Sequence, residues 1–509
     1  MRFSLFVTLL ALSSSILLSR AYAAPAAKNV LFLIADDLNA SLGCYGHSIV
    51  KTPNIDRLAA KAVRFENAAC QFPLCGPSRN SMLTGLHPNT NGIQSNGQLF
   101  RQTIPTQVSM PQAFRQQGYL AARIGKLYHY NVPNSIGTNG HDDPASWELE
   151  INPAGCDRLI EHPLITSLTP NQFGGTLSWL ASDQPDEKHT DGLQAREAAW
   201  VLERCGRQKD RPFFLAVGFF RPHTPYVAPK KWFAGYPIEK IPLVTRVQED
   251  QTDIPPSALL SYKKEQDKLT DDTRRAAIQA YFASISFLDA QVGHVLDSLD
   301  QNGLTDSTVI VFTSDHGYHL GEHGLWQKQS LFEESARVPL LIAAPGIQPG
   351  VSRAPAGLID LFPTLAELCS VKTPANLQGQ SLVPMLKDPQ NGPGRGWVIS
   401  QVVRGGGFKR AGASPAVGDD VERHYGYSIR TTRHRYTEWD EGRRGRELYN
   451  HENDPKELTN LAEQPEHAQT VARLSTQLRA AIATTLPPDG KTPQIAPGDT
   501  LWAPLLVDP

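Results

Sequence analysis

The sequence predicts an α/β fold, with a large, mainly parallel sheet sandwiched by helices and a smaller C-terminal α+β subdomain. Three observations lead there. Short apolar runs without alternation recur along the chain, as strands buried on both faces require. Helical periodicities separate them, giving the strand–helix alternation of a sheet covered on both sides. Each apolar run also passes directly into polar residues, and in such sheets ligands bind beyond the carboxyl ends of the strands. At 509 residues, 40% hydrophobic and 20% charged, the chain can bury a sizeable core and is not a disordered polymer.

The elements follow in order. Met1-Arg2 opens an uncharged stretch over 3–19, and Ala21-Tyr22-Ala23 supplies a small-residue cleavage pattern. Residues 1–23 are therefore expected to be a signal peptide, with export to the periplasm or the medium. That run is short for a membrane span of ~20 residues and no later stretch reaches that length, so no stable membrane insertion is expected. The first strand, 30–35, runs into Asp36-Asp37, and the second, 120–124, into Gly125-Lys126-Leu127-Tyr128-His129. The third, 213–217, leads through Gly218-Phe219-Phe220 to Arg221-Pro222-His223. The fourth, 308–313, runs into Ser314-Asp315-His316-Gly317. Before it, Ile278, Tyr281, Phe282, Ile285, Leu288, Val292, Val295 and Leu299 recur at three- and four-residue intervals, predicting a helix over 273–299 that Gly303 stops. Asp36, Asp37, Lys126, His129, His223, Asp315 and His316 are thus expected on one rim. A catalytic domain over 24–388 gives way to a Pro- and Gly-rich tract, 384–407. Beyond it, β-type runs at 425–431, 435–439 and 447–450 and a helical segment over 463–485 make up the subdomain, 389–509.

Lys and Arg number 49 against 51 Asp and Glu, a net charge of -2 that argues against a nucleic-acid partner. Six cysteines are too few for a disulfide scaffold, and no C-x-x-C pair suggests structural zinc. Their pairing stays open, Cys156 with Cys205 included.

The segment Leu74-Cys75-Gly76-Pro77-Ser78-Arg79 is the most informative. Residues 81–85 look like the start of a helix, placing Cys75 near a helix N-terminus, which favours anions. From the residues alone Cys75 is a buried thiol, a disulfide partner or a thiolate nucleophile beside Arg79. Cys-x-Pro-Ser-Arg followed by Leu-Thr-Gly resembles the signature of the type I sulfatases. The resemblance continues through Asp36-Asp37, 52–58, Gly125-Lys126, Asp315-His316-Gly317, Gly321-Glu322-His323-Gly324, 360–365 and Glu447-Leu448-Tyr449. Within that family, 125–129, 221–226, 320–328 and 426–431 are most similar to the iduronate-2-sulfatase branch, while 332–339 resembles choline sulfatases.

The resemblance implies an alkaline-phosphatase-like sandwich. It implies that a formylglycine-generating or sulfatase-maturating enzyme oxidises Cys75 to Cα-formylglycine. It also implies one calcium ion held by Asp36, Asp37, Asp315, His316 and an oxygen of residue 75; three strand-end carboxylates independently suit a hard divalent cation. Arg79 is expected to offer a planar fork to sulfate or diol oxygens, with Lys126 and Lys328 as point charges. The hydrated aldehyde attacks sulfur, His223 protonates the leaving alcohol, and His129 takes a proton from the second diol hydroxyl so that sulfate departs. The expected substrate is a sulfated glycan, with a 2-O-sulfated uronic acid as the branch-level expectation. Alternatives are a phosphate or phosphonate monoester hydrolase on the same scaffold, a silent calcium-dependent glycan-binding protein, and choline-sulfatase-like specificity. His319-Leu320-Gly321-Glu322-His323 fits the string of inverted zinc proteases, but that chemistry needs a helix, and Gly317, Gly321 and Gly324 predict a loop.

Overall fold

The computed structural model describes residues 29–405 and 421–494, so the expected signal peptide, 1–23, lies outside the described residues. Eight strands form the main sheet: β1 (Asn29–Asp36), β2 (Val63–Phe65), β3 (Leu120–Gly125), β4 (Leu149–Ile151), β5 (Phe213–Pro222), β6 (Thr308–Ser314), β7 (Leu340–Ala343) and β8 (Gly350–Ser352). Their order is β8-β2-β7-β6-β1-β5-β3-β4. The four strands expected from the sequence are the consecutive central ones, β6-β1-β5-β3, and all pair in parallel. Only β7 runs against its neighbours, which makes the sheet mixed towards one edge.

Every residue of β1 is buried, and alternate side chains enter different cores. Leu31 and Leu33 join Leu215, Val217, Ile310 and Phe312 on one face. Val30, Phe32 and Ile34 join Phe214, Ala216 and Val311 on the other. This is why the run lacks alternation: neither face meets water. The first face is covered by α2 (Thr190–Arg207) and α3 (Asp271–Gln301), the second by α1 (Cys75–Thr84) and α4 (Leu361–Cys369). Helix α3 matches the expected periodicity, extended to Asp271 because Thr270 caps it, its hydroxyl accepting from the Thr273 amide at 3.2 Å.

Helix α1 begins at Cys75, six residues earlier than expected. Pro77 falls in its first turn, where a missing N–H costs nothing. Gly85 ends it in the left-handed region at φ 68°.

The C-terminal sheet is a four-stranded antiparallel meander of β9 (Trp397–Arg404), β10 (His424–Thr431), β11 (His434–Trp439) and β12 (Arg446–Asn450), packed on α5 (Ala468–Thr484). Strand β9 lies inside the tract taken as Pro- and Gly-rich; Val398, Ile399, Val402 and Val403 were its signal. Helix α5 starts five residues later than expected, behind a short turn at Pro465–His467. All six cysteines are free thiols, so Cys156 and Cys205 do not pair. Among the described residues no helix is long and apolar enough to cross a membrane.

Candidate active site

The carboxyl ends of β1 and β6 sit side by side, with Ala35 opposite Ser314. The chain leaves each with acidic residues, so Asp36, Asp37 and Asp315 meet in one place, all fully buried. Asp37 turns sharply, at φ 64°, and the turn is held by its amide donating to Asp315 Oδ1 (3.2 Å) and by the Tyr281 hydroxyl donating to its carbonyl (2.7 Å). His316 follows with Nδ1 2.9 Å from the Gly317 carbonyl. A carbonyl only accepts, so that nitrogen carries a proton, and Nε2 points inward, 3.4 Å from Asp37 Oδ1.

Cys75 enters this cluster from the opposite side. As the first residue of α1 it stands where unpaired backbone N–H groups favour negative charge. Its Sγ lies 3.5 Å from Asp36 Oδ1, 3.3 Å from His316 Nε2 and 3.3 Å from Lys328 Nζ. Gly76, next along, donates its amide to Asn96 Oδ1 at 2.8 Å, and a Cβ there would come within 2.9 Å of the same oxygen. The helix end therefore sits against the 95–96 loop with no room for a side chain.

Three cations balance the three carboxylates. Lys126 Nζ lies 2.5 Å from Asp36 Oδ2, and Lys328 Nζ pairs with Asp37 Oδ1. Burial alone would raise the Asp36 carboxyl; Lys126, His223, Arg79 and Lys328 overrule it and hold it well below the usual carboxylate range. Asp37 is likewise lowered against its burial, by His223, Lys328 and His316. For Lys328 burial disfavours the charge, but Asp37 and its neighbours push the ammonium up.

Arg79 is the third cation. Its Nε donates to Asp315 Oδ2 (2.8 Å), Nη1 to the carbonyls of Lys126 (2.6 Å) and Leu127 (3.2 Å), and Nη2 to that of Ala35 (3.4 Å), with Asp36 Oδ1 at 3.5 Å. The guanidinium is wholly buried and its fork is taken up by the protein. It braces the ends of β1, β3 and β6.

The two histidines lie at the edge of the cluster and are buried, His223 4% and His129 9% exposed. Along the β1–β5 pairing, β1 advances two residues while β5 advances four, between Ile34–Gly218 and Asp36–Pro222. That bulge swings the end of β5 over the rim. His223 Nε2 comes 3.6 Å from Asp37 Oδ2, and its Nδ1 lies 2.5 Å from the Thr224 carbonyl. His129 packs beside His141, ring centres 5.4 Å apart, and its buried Nδ1 has no hydrogen-bond partner. Burial, then Lys126 and His141, lower the His129 imidazole well below its ordinary value and keep it neutral.

The seven residues expected on one rim therefore come together, and Cys75, Arg79 and Lys328 join them. The parts that hold them carry no sequence signal. Asp191, at the start of α2, accepts from the amides of Phe220 (3.0 Å) and Arg221 (2.9 Å), and Asp157 Oδ2 holds Arg221 Nη2 at 2.6 Å. These fix the turn carrying His223, yet an acidic residue in a helical first turn is unremarkable in a sequence. The 52–58 motif is scaffold: Asp289 of α3 accepts from the amides of Asn54 and Ile55 (2.8 Å to Ile55), capping the short helix Pro53–Ala59 from a distance. The 319–323 string is a loop, as its glycines predict, with Gly321 at φ 117° and His323 at φ 54°.

The cluster fits a hard cation. Asp37 Oδ2 is a buried carboxylate oxygen with no hydrogen-bond partner. Asp36, Cys75, Asp315 and His316 each offer a ligand atom within 4.8 Å of the others, as do Asp36, Asp37, Cys75 and His223. Oxygen donors dominate, as calcium prefers.

Comparison with known proteins agrees with the geometry. The family model described as Sulfatase matches residues 28–371, and that for the N-sulphoglucosamine sulphohydrolase C-terminal region matches 321–484. The chain is 32% identical over 471 residues to a sulfatase of Formosa agariphila, covering 90% of this chain and 87% of that protein. It is 33% identical over 477 residues to the iduronate 2-sulfatase of Mus musculus, covering 81% and 85%. The solved structure of the phosphonate monoester hydrolase of Agrobacterium radiobacter superposes with a TM-score of 0.73 at 22% identity, over 92% of this chain and 99% of that one. The sandwich is the alkaline-phosphatase-like fold.

Proposed function

The chain belongs to the sulfatase family and is a sulfuric ester hydrolase, and from that premise we propose that it removes sulfate from a sulfated carbohydrate, with a 2-O-sulfated uronic acid as the preferred unit. The observation that carries the reading is the setting of Cys75, whose Sγ lies between Asp36, His316 and Lys328 at the start of a buried helix. Sγ marks the place of the aldehyde oxygen that oxidation to formylglycine would leave. The oxidised, hydrated side chain would supply an attacking oxygen and a second hydroxyl through which sulfate can depart. Calcium, held by Asp36, Asp37, Asp315 and His316, would polarise the sulfuryl oxygens and favour ionisation of the attacking hydroxyl.

The chain's own groups do the rest. Three carboxylates face three cations, so the fixed charges cancel; a dication then leaves room for one ester anion and one ionised nucleophile. Lys126 and Lys328 hold the sulfuryl oxygens as charge develops. Arg79 keeps Asp36 and Asp315 in place and touches no substrate. His223 Nε2 faces the cluster from the open side and donates a proton to the leaving sugar oxygen, a poor leaving group without one. His129, kept neutral by burial, accepts the proton whose removal frees sulfate. We further propose that the chain is exported, that a formylglycine-generating or sulfatase-maturating enzyme acts on it, and that it has no nucleic-acid partner.

Co-expression with a formylglycine-forming enzyme should lower the mass of the peptide carrying Cys75 by about 18 Da, the replacement of thiol by aldehyde. The modified protein should release sulfate from defined sulfated oligosaccharides. A fully active chain with an intact thiol refutes the mechanism. Faster turnover of an aryl phosphonate than of the matched aryl sulfate favours the phosphonate hydrolase, and glycan binding without turnover a silent lectin.

A further inference from the structure

The H-x-x-E-H string is not used by the chemistry at Cys75, yet its loop form brings its side chains together. His319 pairs with Gln327 in a two-residue ladder, and the turn through Gly321 and His323 doubles the chain back. The rings of His319 and His323 end 6.1 Å apart. His323 lines a cavity of about 940 Å³ together with Asp250, Glu322, Glu333 and Glu334, and none of the ten residues around Cys75 lines it.

We propose that this wall is a second divalent-cation site of the zinc class, with His323, Glu334 and Glu457 as protein ligands and the cavity supplying water at an open position. His323 is 1% exposed, and its Nε2 has no hydrogen-bond partner. It lies 3.8 Å from Glu334 Oε2, a second buried atom without a partner. His323, Glu334 and Glu457 each offer one ligand atom within 4.8 Å of the others. Ligands at the Zn–N and Zn–O distances of a tetrahedral site stand about 3.4 Å apart, so the His323–Glu334 gap needs to close by only a few tenths of an ångström.

The surroundings support a cation. The other ring nitrogen, Nδ1, sits 3.0 Å from Asp250 Oδ2. A carboxylate behind an imidazole is the arrangement that orients a metal-binding histidine and raises its basicity. Glu457 accepts from Arg435 Nε (2.6 Å), His451 Nε2 (2.9 Å) and the Glu333 amide (2.8 Å), which leaves one of about four lone-pair positions on its carboxylate. Asp250, Glu322 and Glu334 place three carboxylates along the wall, while the nearby Arg246 is engaged by Glu249 at 2.5 Å and Arg337 lies 3.8 Å from Glu333. Without metal, an imidazolium at His323 can face Asp250 with Nδ1–H and Glu334 with Nε2–H; a divalent ion takes the place of the Nε2 proton between His323 and Glu334, and Nδ1–H stays on Asp250. His323 belongs to the loop leading to Lys328, and Glu457 to the segment after β12, so the ion would tie the catalytic body to the C-terminal sheet.

The test is independent of the chemistry at Cys75. Full-length protein held in millimolar calcium is titrated with ZnCl2 by calorimetry. One equivalent is expected to bind at about 10 μM or tighter, weakened roughly tenfold or more by His323→Gln or the isosteric Glu334→Gln and unchanged by Asp36→Asn. CoCl2 titrated into the unsubstituted chain should give the visible bands of an imidazole- and carboxylate-ligated ion, a readout that needs no variant. The proposal is overturned if the calcium-loaded chain takes up neither metal, if both glutamine variants bind as the parent does, or if Asp36→Asn abolishes uptake.

Discussion

Replacing Arg79 by Lys separates a bracing guanidinium from a substrate-binding one. The charge survives, so no buried carboxylate is left without a counter-charge, a loss that by itself costs about 3–5 kcal/mol. The hydrogen bonds do not survive. Arg79 reaches Asp315 Oδ2 and the carbonyls of Lys126, Leu127 and Ala35, with Asp36 Oδ1 at 3.5 Å. An ammonium has three donors for these acceptors, in a region with no exposed surface. At least one of the four hydrogen-bonded acceptors then lacks this donor, giving a loss of ~1–3 kcal/mol. Urea unfolding of the purified variant should show that loss. Turnover of a sulfate ester should fall through kcat, because Asp36 and Asp315 lose their brace, while KM stays close to that of the parent. A variant as stable as the parent, with raised KM and unchanged kcat, would falsify the bracing role and return Arg79 to the substrate.

Two further outcomes follow from the geometry. His223→Ala should lower kcat on a sugar sulfate by ~10²–10⁴-fold, the usual worth of a general acid, and much less on an activated aryl sulfate whose alcohol leaves unaided; equal losses on both remove His223 from the acid role. Asp289, which caps the helix Pro53–Ala59, is pushed by burial up to about 6 from 3.8. The folded chain therefore binds this proton more tightly than the unfolded one, and the group's stabilisation is lost as pH rises through that interval, by roughly 3 kcal/mol. Urea unfolding at pH values on either side of the interval should show the parent losing that much relative to Asp289→Asn; parallel profiles refute it.

The sequence by itself determined the strands and what stands at their ends. A run such as 30–35 has no polar face to offer water, so it can only be a central strand, and a parallel sheet brings the ends of such strands to one side. That is why Asp36, Lys126, His223 and Asp315 could be expected together although as many as 279 positions separate them. The Cys75 segment was legible for a different reason: its residue types are specific to one chemistry.

Tertiary structure alone decided how each group is used. Arg79 and Lys126 are both cations at the rim, but only packing shows that the guanidinium is enclosed by carbonyls while the ammonium rests on a carboxylate. The Asp191 and Asp157 brace behind His223, and the Asp289 cap beneath the 52–58 motif, join residues distant in sequence through a few hydrogen bonds each, which leave no periodicity or composition to detect. Local pattern records which face of an element is apolar; which donor meets which acceptor is set only once the elements have packed.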